Sequence, residues 1–155
     1  TYSDSTNNGF IDFSPPRPWG PVGRAGLMSA SKRKGDKYER ELAAYLRDAL
    51  GIDCHRAPLS GGGFVFSGGS ADLVGTPLLF IEAKRTEKIS VRAALAQANR
   101  NKATTNSPET PIVITRQNRM TTGESLVVLT LDDFLPFYKA ALEKHGYAHQ
   151  PAEQQ

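Results

Sequence analysis

The run Pro77-Leu78-Leu79-Phe80-Ile81-Glu82-Ala83-Lys84 constrains the fold more than any other part of the chain. It reads as a strand fit for burial, yet it ends in an acid and a base. Strand side chains alternate between faces, so Leu79, Ile81 and Ala83 share one side, while Phe80, Glu82 and Lys84 share the other. A carboxylate and an ammonium therefore project together from the end of an otherwise apolar strand. The shorter run Ala71-Asp72-Leu73-Val74 precedes it, and a tight turn through Gly75-Thr76-Pro77 would bring Asp72 alongside. Two carboxylates beside a lysine suit the binding of Mg²⁺ and the activation of water against a phosphodiester. The plainer alternative is a surface Glu–Lys pair at a strand end, because Asp-(nine residues)-Glu-x-Lys also arises by chance.

A helix is expected from about Gly35 to Leu50, stopped by Gly51. At 100° per residue, Leu42, Leu46, Ala49 and Leu50 form one apolar stripe with Ala43 at its edge, and Glu39 lies near its middle. Glu41 falls roughly opposite, beside Asp48 on the solvent side, and Arg40 and Arg47 share a polar face. A carboxylate in a core-facing stripe is costly unless it is paired or binds a cation. The other reading is that Glu39 lies close enough to the helix start to reach water or backbone N–H groups.

Around these features the chain has the size of one domain, 155 residues, enough for a proper core. No apolar run approaches the ~20 residues of a membrane-spanning helix, and no secretory signal pattern is visible. The single Cys54 excludes an internal disulfide, and with three scattered histidines it offers no structural zinc site. A reducing cytoplasm is the expected location. The net charge of +3 matters less than its placement. Lys32, Arg33, Lys34, Lys37 and Arg40 crowd together before and at the start of the helix, the footprint expected for a phosphate backbone. The alternative, a solvated basic helix start, would oppose the positive end of the helix dipole.

Residues 1–27 are rich in Gly, Pro, Ser and Asn and read as an extended or disordered arm, tied down only if Phe10, Phe13 and Trp19 dock. A domain is expected over 28–146, followed by a flexible tail at 147–155. Strands are expected at Ile52–Ala57, Ala71–Val74, Leu78–Lys84, Pro111–Arg116 and Ser125–Leu129. Ser90 caps a helix over Val91–Asn101, and Thr130 starts a closing helix that reaches Lys144. The glycine-rich loop 58–70 carries Phe64, Val65 and Phe66 at its crest, for stacking near unpaired bases or for packing on the arm or on a partner. The order αβββαββα gives an α/β domain, a mixed β-sheet with helices on its faces.

Four motifs occur in sequence: Lys34-Gly35-Asp36-Lys37-Tyr38-Glu39-Arg40-Glu41-Leu42, Arg56-Ala57-Pro58-Leu59-Ser60-Gly61-Gly62, Asp72, and Ile81-Glu82-Ala83-Lys84. Together they resemble the archaeal-type Holliday junction resolvases of the PD-(D/E)xK nuclease superfamily, over roughly Ser31 to Asn101. The resemblance implies a restriction-endonuclease-like fold and a Mg²⁺-dependent endonuclease, with Mn²⁺ as a substitute ion and no small-molecule cofactor. It implies metal binding by Glu39, Asp72, Glu82 and the Ala83 carbonyl, with Lys84 positioning the attacking water. It also implies that Arg40 and Arg56 serve DNA contact or catalysis, with Lys32, Arg33, Lys34, Lys37, Ser60 and Arg85 as further DNA contacts. Branched double-stranded DNA is the implied partner, cut by a homodimer, since two opposed strands need two sites about a two-fold axis. Ala71 stands where the superfamily pattern has proline, and the loop around Phe64–Phe66 is longer than is typical. The same chemistry on another DNA, in a phage or mobile-element nuclease, is the nearest alternative. A non-catalytic DNA-binding module of the same fold is the next.

Overall fold

The computed structural model describes residues 29–58 and 70–147. The arm, the crest of the glycine loop with Ser60 and Phe64–Phe66, and the tail beyond 147 lie outside the described residues.

Helix α1 spans Ala30–Leu50, five residues longer at its start than the periodicity suggests. Ser29 supplies the reason, its hydroxyl accepting the Lys32 N–H at 3.2 Å as an N-cap. Gly51 ends the helix in the left-handed conformation. The basic cluster therefore lies within the first turns of α1 rather than ahead of it. The apolar stripe is also shifted. Tyr38, Leu42 and Ala43 are buried and Leu46 packs against them, but Ala49 and Leu50 are exposed.

Strands β1 (His55–Arg56) and β2 (Leu73–Val74) form a short antiparallel pair. Strand β3 (Leu79–Arg85) runs parallel to β4 (Thr110–Arg116), which pairs antiparallel with β5 (Leu126–Val128). Helix α2 (Val91–Thr105) makes the crossover from β3 to β4 and runs a turn past the expected end at Asn101. A 3₁₀ turn, Thr122–Glu124, precedes β5, and α3 (Leu131–Lys144) closes the domain. The order is αβββαββα as expected, in a mixed sheet whose β1–β2 part is separate from the β3–β4–β5 ladder.

The two faces of β3 are distinct. Ile81 and Ala83 join Tyr38, Leu42, Cys54, Leu73, Ile112 and Ile114 in one core under α1. Phe80 and Glu82 take the opposite face, where α2 contributes buried Ala94 and Ala98. The turn before β3 needs glycine. Gly75 has φ 76°, and a Cβ there would lie 1.9 Å from the Asp53 carbonyl oxygen. Among the described residues, no helix is long and apolar enough to cross a membrane.

Candidate active site

Glu82 is 2% exposed, and its Oε1 lies 2.7 Å from Lys84 Nζ, two residues along the same face of β3. Lys84 Nζ also donates to Gln97 Oε1 at 3.1 Å, and Asn101 Nδ2 donates to Glu82 Oε2 at 3.5 Å. Gln97 and Asn101 stand one turn apart on α2, so they share a face and cover the pair. The sequence reading missed both.

Asp72 meets β3 from the strand edge. Its N–H donates to the Ile81 carbonyl at 2.9 Å, its Oδ2 accepts the Ala83 N–H at 2.7 Å, and its carbonyl accepts the Ala57 N–H at 2.8 Å. These bonds join the β1–β2 pair to β3 and hold the Asp72 carboxyl beside Glu82. Burial, and then the Glu82 charge, push that carboxyl up to about 7, against the Ala83 N–H and Lys84, which favour ionisation. Glu39 adds to the upward push.

Glu39 is largely buried and accepts a hydrogen bond from Arg56 Nε on β1. The same guanidinium donates through Nη2 to Asp36 Oδ1 at 2.6 Å, and it is itself only 14% exposed. Asp36 is 6% exposed, and its Oδ2 has no hydrogen-bond partner among the described residues. Asp36 stands in the first of the four motifs but was given no role by the sequence. The only signal for it was the helical spacing that puts residue 36 one turn before Glu39.

Glu41 is a correction. It was expected on the solvent side, but its Oε2 receives Arg116 Nη2 at 2.7 Å, and Arg116 is almost fully buried. Arg116 also donates through Nη1 to Thr122 Oγ1 at 2.9 Å and stacks over the Tyr38 ring at 4.8 Å. Burial comes first among the influences on Glu41 and opposes ionisation, but the Arg116 bond and charge outweigh it and lower the carboxyl. A partner supplied by β4 overrides what helix periodicity alone suggests.

Of the basic residues, Lys32, Arg33, Lys37 and Arg40 are exposed on α1 and Lys34 is half-buried. Lys37 lies 3.6 Å from Glu41, one turn away. Arg56 is enclosed between two carboxylates, and Arg85 is half-buried with its Nε covered and unpartnered among the described residues.

Glu39, Asp72 and Glu82 are hard oxygen donors of the kind that Mg²⁺ and Mn²⁺ take. As placed, Glu39 turns to Arg56, Glu82 to Lys84 and Asp72 to the Ala83 N–H, and among the described residues no three acids, histidines or cysteines converge as a ready metal cluster. The donors nevertheless fit a divalent cation. Burial and the neighbouring Glu82 charge hold a proton on Asp72 up to about pH 7, and a cation bound there would offset both.

A helix acid, an edge acid and an acid–lysine pair, gathered on a mixed sheet between helices, define a restriction-endonuclease-like α/β protein. Residues 30–151 match the family model described as "Phage putative PDDEXK endonuclease", and the chain belongs to that family. It is therefore a nuclease of the PD-(D/E)xK superfamily, whose members generally use divalent metal ions and act on DNA. The matched family is named for phage endonucleases and not for archaeal-type resolvases. No curated protein and no solved structure matches the chain.

Proposed function

We propose that the domain, residues 28–146, is a divalent-metal-dependent endodeoxyribonuclease with Glu39, Asp72, Glu82 and Lys84 as its active site. The observation that carries the reading is the Asp72 carboxyl, held on the Ala83 N–H beside the Glu82–Lys84 pair and raised to about 7 by burial and then by the Glu82 charge. Glu39, Asp72, Glu82 and the Ala83 carbonyl would hold Mg²⁺ or Mn²⁺, which when bound lowers the pKa of water and offsets charge on the phosphate. The protein's own groups do the rest. Lys84, steadied by Gln97 and Glu82, orients the attacking water through its ammonium. Arg56 holds Glu39 in place through its Nε, a positioning role beside the DNA contact or catalysis that the resemblance implies for it. Lys32, Arg33, Lys34, Lys37 and Arg40 on the first half of α1, with Arg85, neutralise phosphates and the Ser60 hydroxyl donates to one, so binding is salt dependent and largely independent of sequence.

Four-way junction DNA cut by a homodimer is the proposed substrate, supported by the resemblance of residues 34–42, 56–62, 72 and 81–84 to the junction resolvases. The family match favours a second reading, in which a phage-type PD-(D/E)xK nuclease cuts other DNA. Labelled four-way junction, linear duplex and nicked duplex, incubated with Mg²⁺ or EDTA, separate the two. Metal-dependent paired nicks at the branch support resolution. Equal cutting of linear duplex retains the nuclease and removes the resolvase, and no cutting of any substrate removes both.

A further inference from the structure

Helix α2 meets the Glu82–Lys84 pair with two amides of matched polarity. Gln97 presents its Oε1 to the Lys84 ammonium at 3.1 Å, and Asn101 turns its Nδ2 to Glu82 Oε2 at 3.5 Å. An acceptor thus faces the base and a donor faces the acid. The two amides stand one turn apart, with buried Ala98 between them and buried Ala94 a turn before it. Small side chains on that inner face let α2 lie close enough to β3 for a half-buried glutamine to reach across. Lys84 Nζ therefore has two acceptors, Glu82 Oε1 at 2.7 Å and Gln97 Oε1. One is a charged carboxylate and the other a neutral amide.

The metal-dependent reading proposed above, on which this inference rests, asks Glu82 to ligate a divalent cation and Lys84 to orient water. An ammonium that stays on Glu82 Oε1 competes for that carboxylate and opposes the cation's charge. We infer that Gln97 is the positioning residue that takes the Lys84 ammonium over from Glu82, leaving Glu82 Oε1 for the metal ion and keeping Lys84 beside it. Asn101 holds the other carboxylate oxygen, so Oε1 is the oxygen that the hand-over exposes. A neutral amide suits the task. It accepts from the ammonium without adding a negative charge that would itself attract the metal ion. The Lys84 side chain is 30% exposed, so water reaches its remaining donors, while Gln97 fixes its direction.

Calorimetric titration of the full chain with Mn²⁺, without DNA, reads the hand-over apart from cleavage. Gln97→Leu keeps the size of the side chain and removes the acceptor. It should weaken Mn²⁺ binding about five- to tenfold, because the bond lost is one to a charged donor and is needed most once Glu82 is a ligand. In a Lys84→Met background the same substitution should change Mn²⁺ binding by less than about twofold, since no ammonium is left to receive. Gln97→Glu retains an acceptor and should bind Mn²⁺ at least as tightly as the wild type. Circular dichroism melts check that each variant is folded. An equal loss from Gln97→Leu with and without Lys84 would overturn the inference and make Gln97 a packing residue of α2. Undiminished Mn²⁺ binding by Gln97→Leu, or a Gln97→Glu variant as weak as Gln97→Leu, would also overturn it while leaving the metal site standing. A wild-type chain that binds no Mn²⁺ would remove the metal-dependent reading and the inference together.

Discussion

Replacing Asp72 with Asn should abolish cleavage and, with metal removed, make the protein more stable at alkaline pH. In the folded, metal-free chain the Asp72 carboxyl is raised from 3.8 to about 7. The unfolded chain therefore releases this proton first as pH rises, and between about 4 and 7 the folded state binds more protons. Stability must fall with pH across that window and level off above it. A shift of ~3 pH units at ~1.4 kcal/mol per unit places the cost at ~4 kcal/mol by pH 8. Asn keeps the oxygen that accepts the Ala83 N–H but cannot ionise. It therefore behaves as the protonated carboxyl does at every pH, because the carboxylate's stronger bond to the Ala83 N–H is already counted in the value of about 7. The variant should thus exceed the wild type by roughly 4 kcal/mol at pH 8 in EDTA and by only about 1.5–2 kcal/mol at pH 5. Urea denaturation at the two pH values measures both numbers. A wild type equally stable at pH 5 and pH 8, or a variant weaker at pH 8, would refute the claim that Asp72 is held against its own ionisation.

The other predictions concern residues whose roles emerge from three-dimensional contacts. Glu41→Gln should destabilise the fold by about 1–3 kcal/mol in thermal or urea melts, because buried Arg116 loses its charged partner, while cleavage by the folded fraction stays near normal. Glu39→Gln should give the reverse, loss of cleavage with a cooperative melt retained. Gly75→Ala should cost more than the ~1–2 kcal/mol of left-handed strain alone, since its Cβ would strike the Asp53 carbonyl, and a lowered melting temperature reports it. Asp36→Asn should lower kcat more than it changes KM, by loosening Arg56 from Glu39, and should raise the Mg²⁺ concentration needed for half-maximal cleavage.

The parts of the site carried by one strand were legible because a strand has a fixed two-residue period. Glu82 and Lys84 had to share a face opposite Ile81 and Ala83, and they do. The turn that brings Asp72 alongside was equally plain in Gly75-Thr76-Pro77. The helix was harder. Its periodicity placed Glu39 on the inner side, but a half-buried flank on either side of a stripe takes its character from what the sheet offers. Residue 116 on β4 offered an arginine to Glu41, and residue 56 on β1 offered one to both Glu39 and Asp36. Pairings between residues seventeen, twenty and seventy-five positions apart leave no mark in a local pattern. Gln97 and Asn101 were hidden for a related reason: amides one turn apart on a helix are ordinary surface residues until a strand acid and lysine lie beneath them.

The acids of this site do not stand alone. Glu82 is balanced by Lys84, Glu39 by Arg56, and Asp72 by a single backbone N–H. A buried carboxylate with a fixed cation is tolerated, and one with only a dipole beside a second carboxylate keeps its proton near neutrality. The site is therefore unequal by construction, with two acids satisfied and one strained toward neutrality. The strained acid is also the one tied to the edge of β3 through both its N–H and its carboxyl, so it cannot turn away to relieve the repulsion. A proton gives that relief up to about pH 7, and a cation bound beside it would take the proton's place. In the function proposed above, a divalent cation serving phosphodiester hydrolysis would occupy that place beside the Asp72 carboxyl.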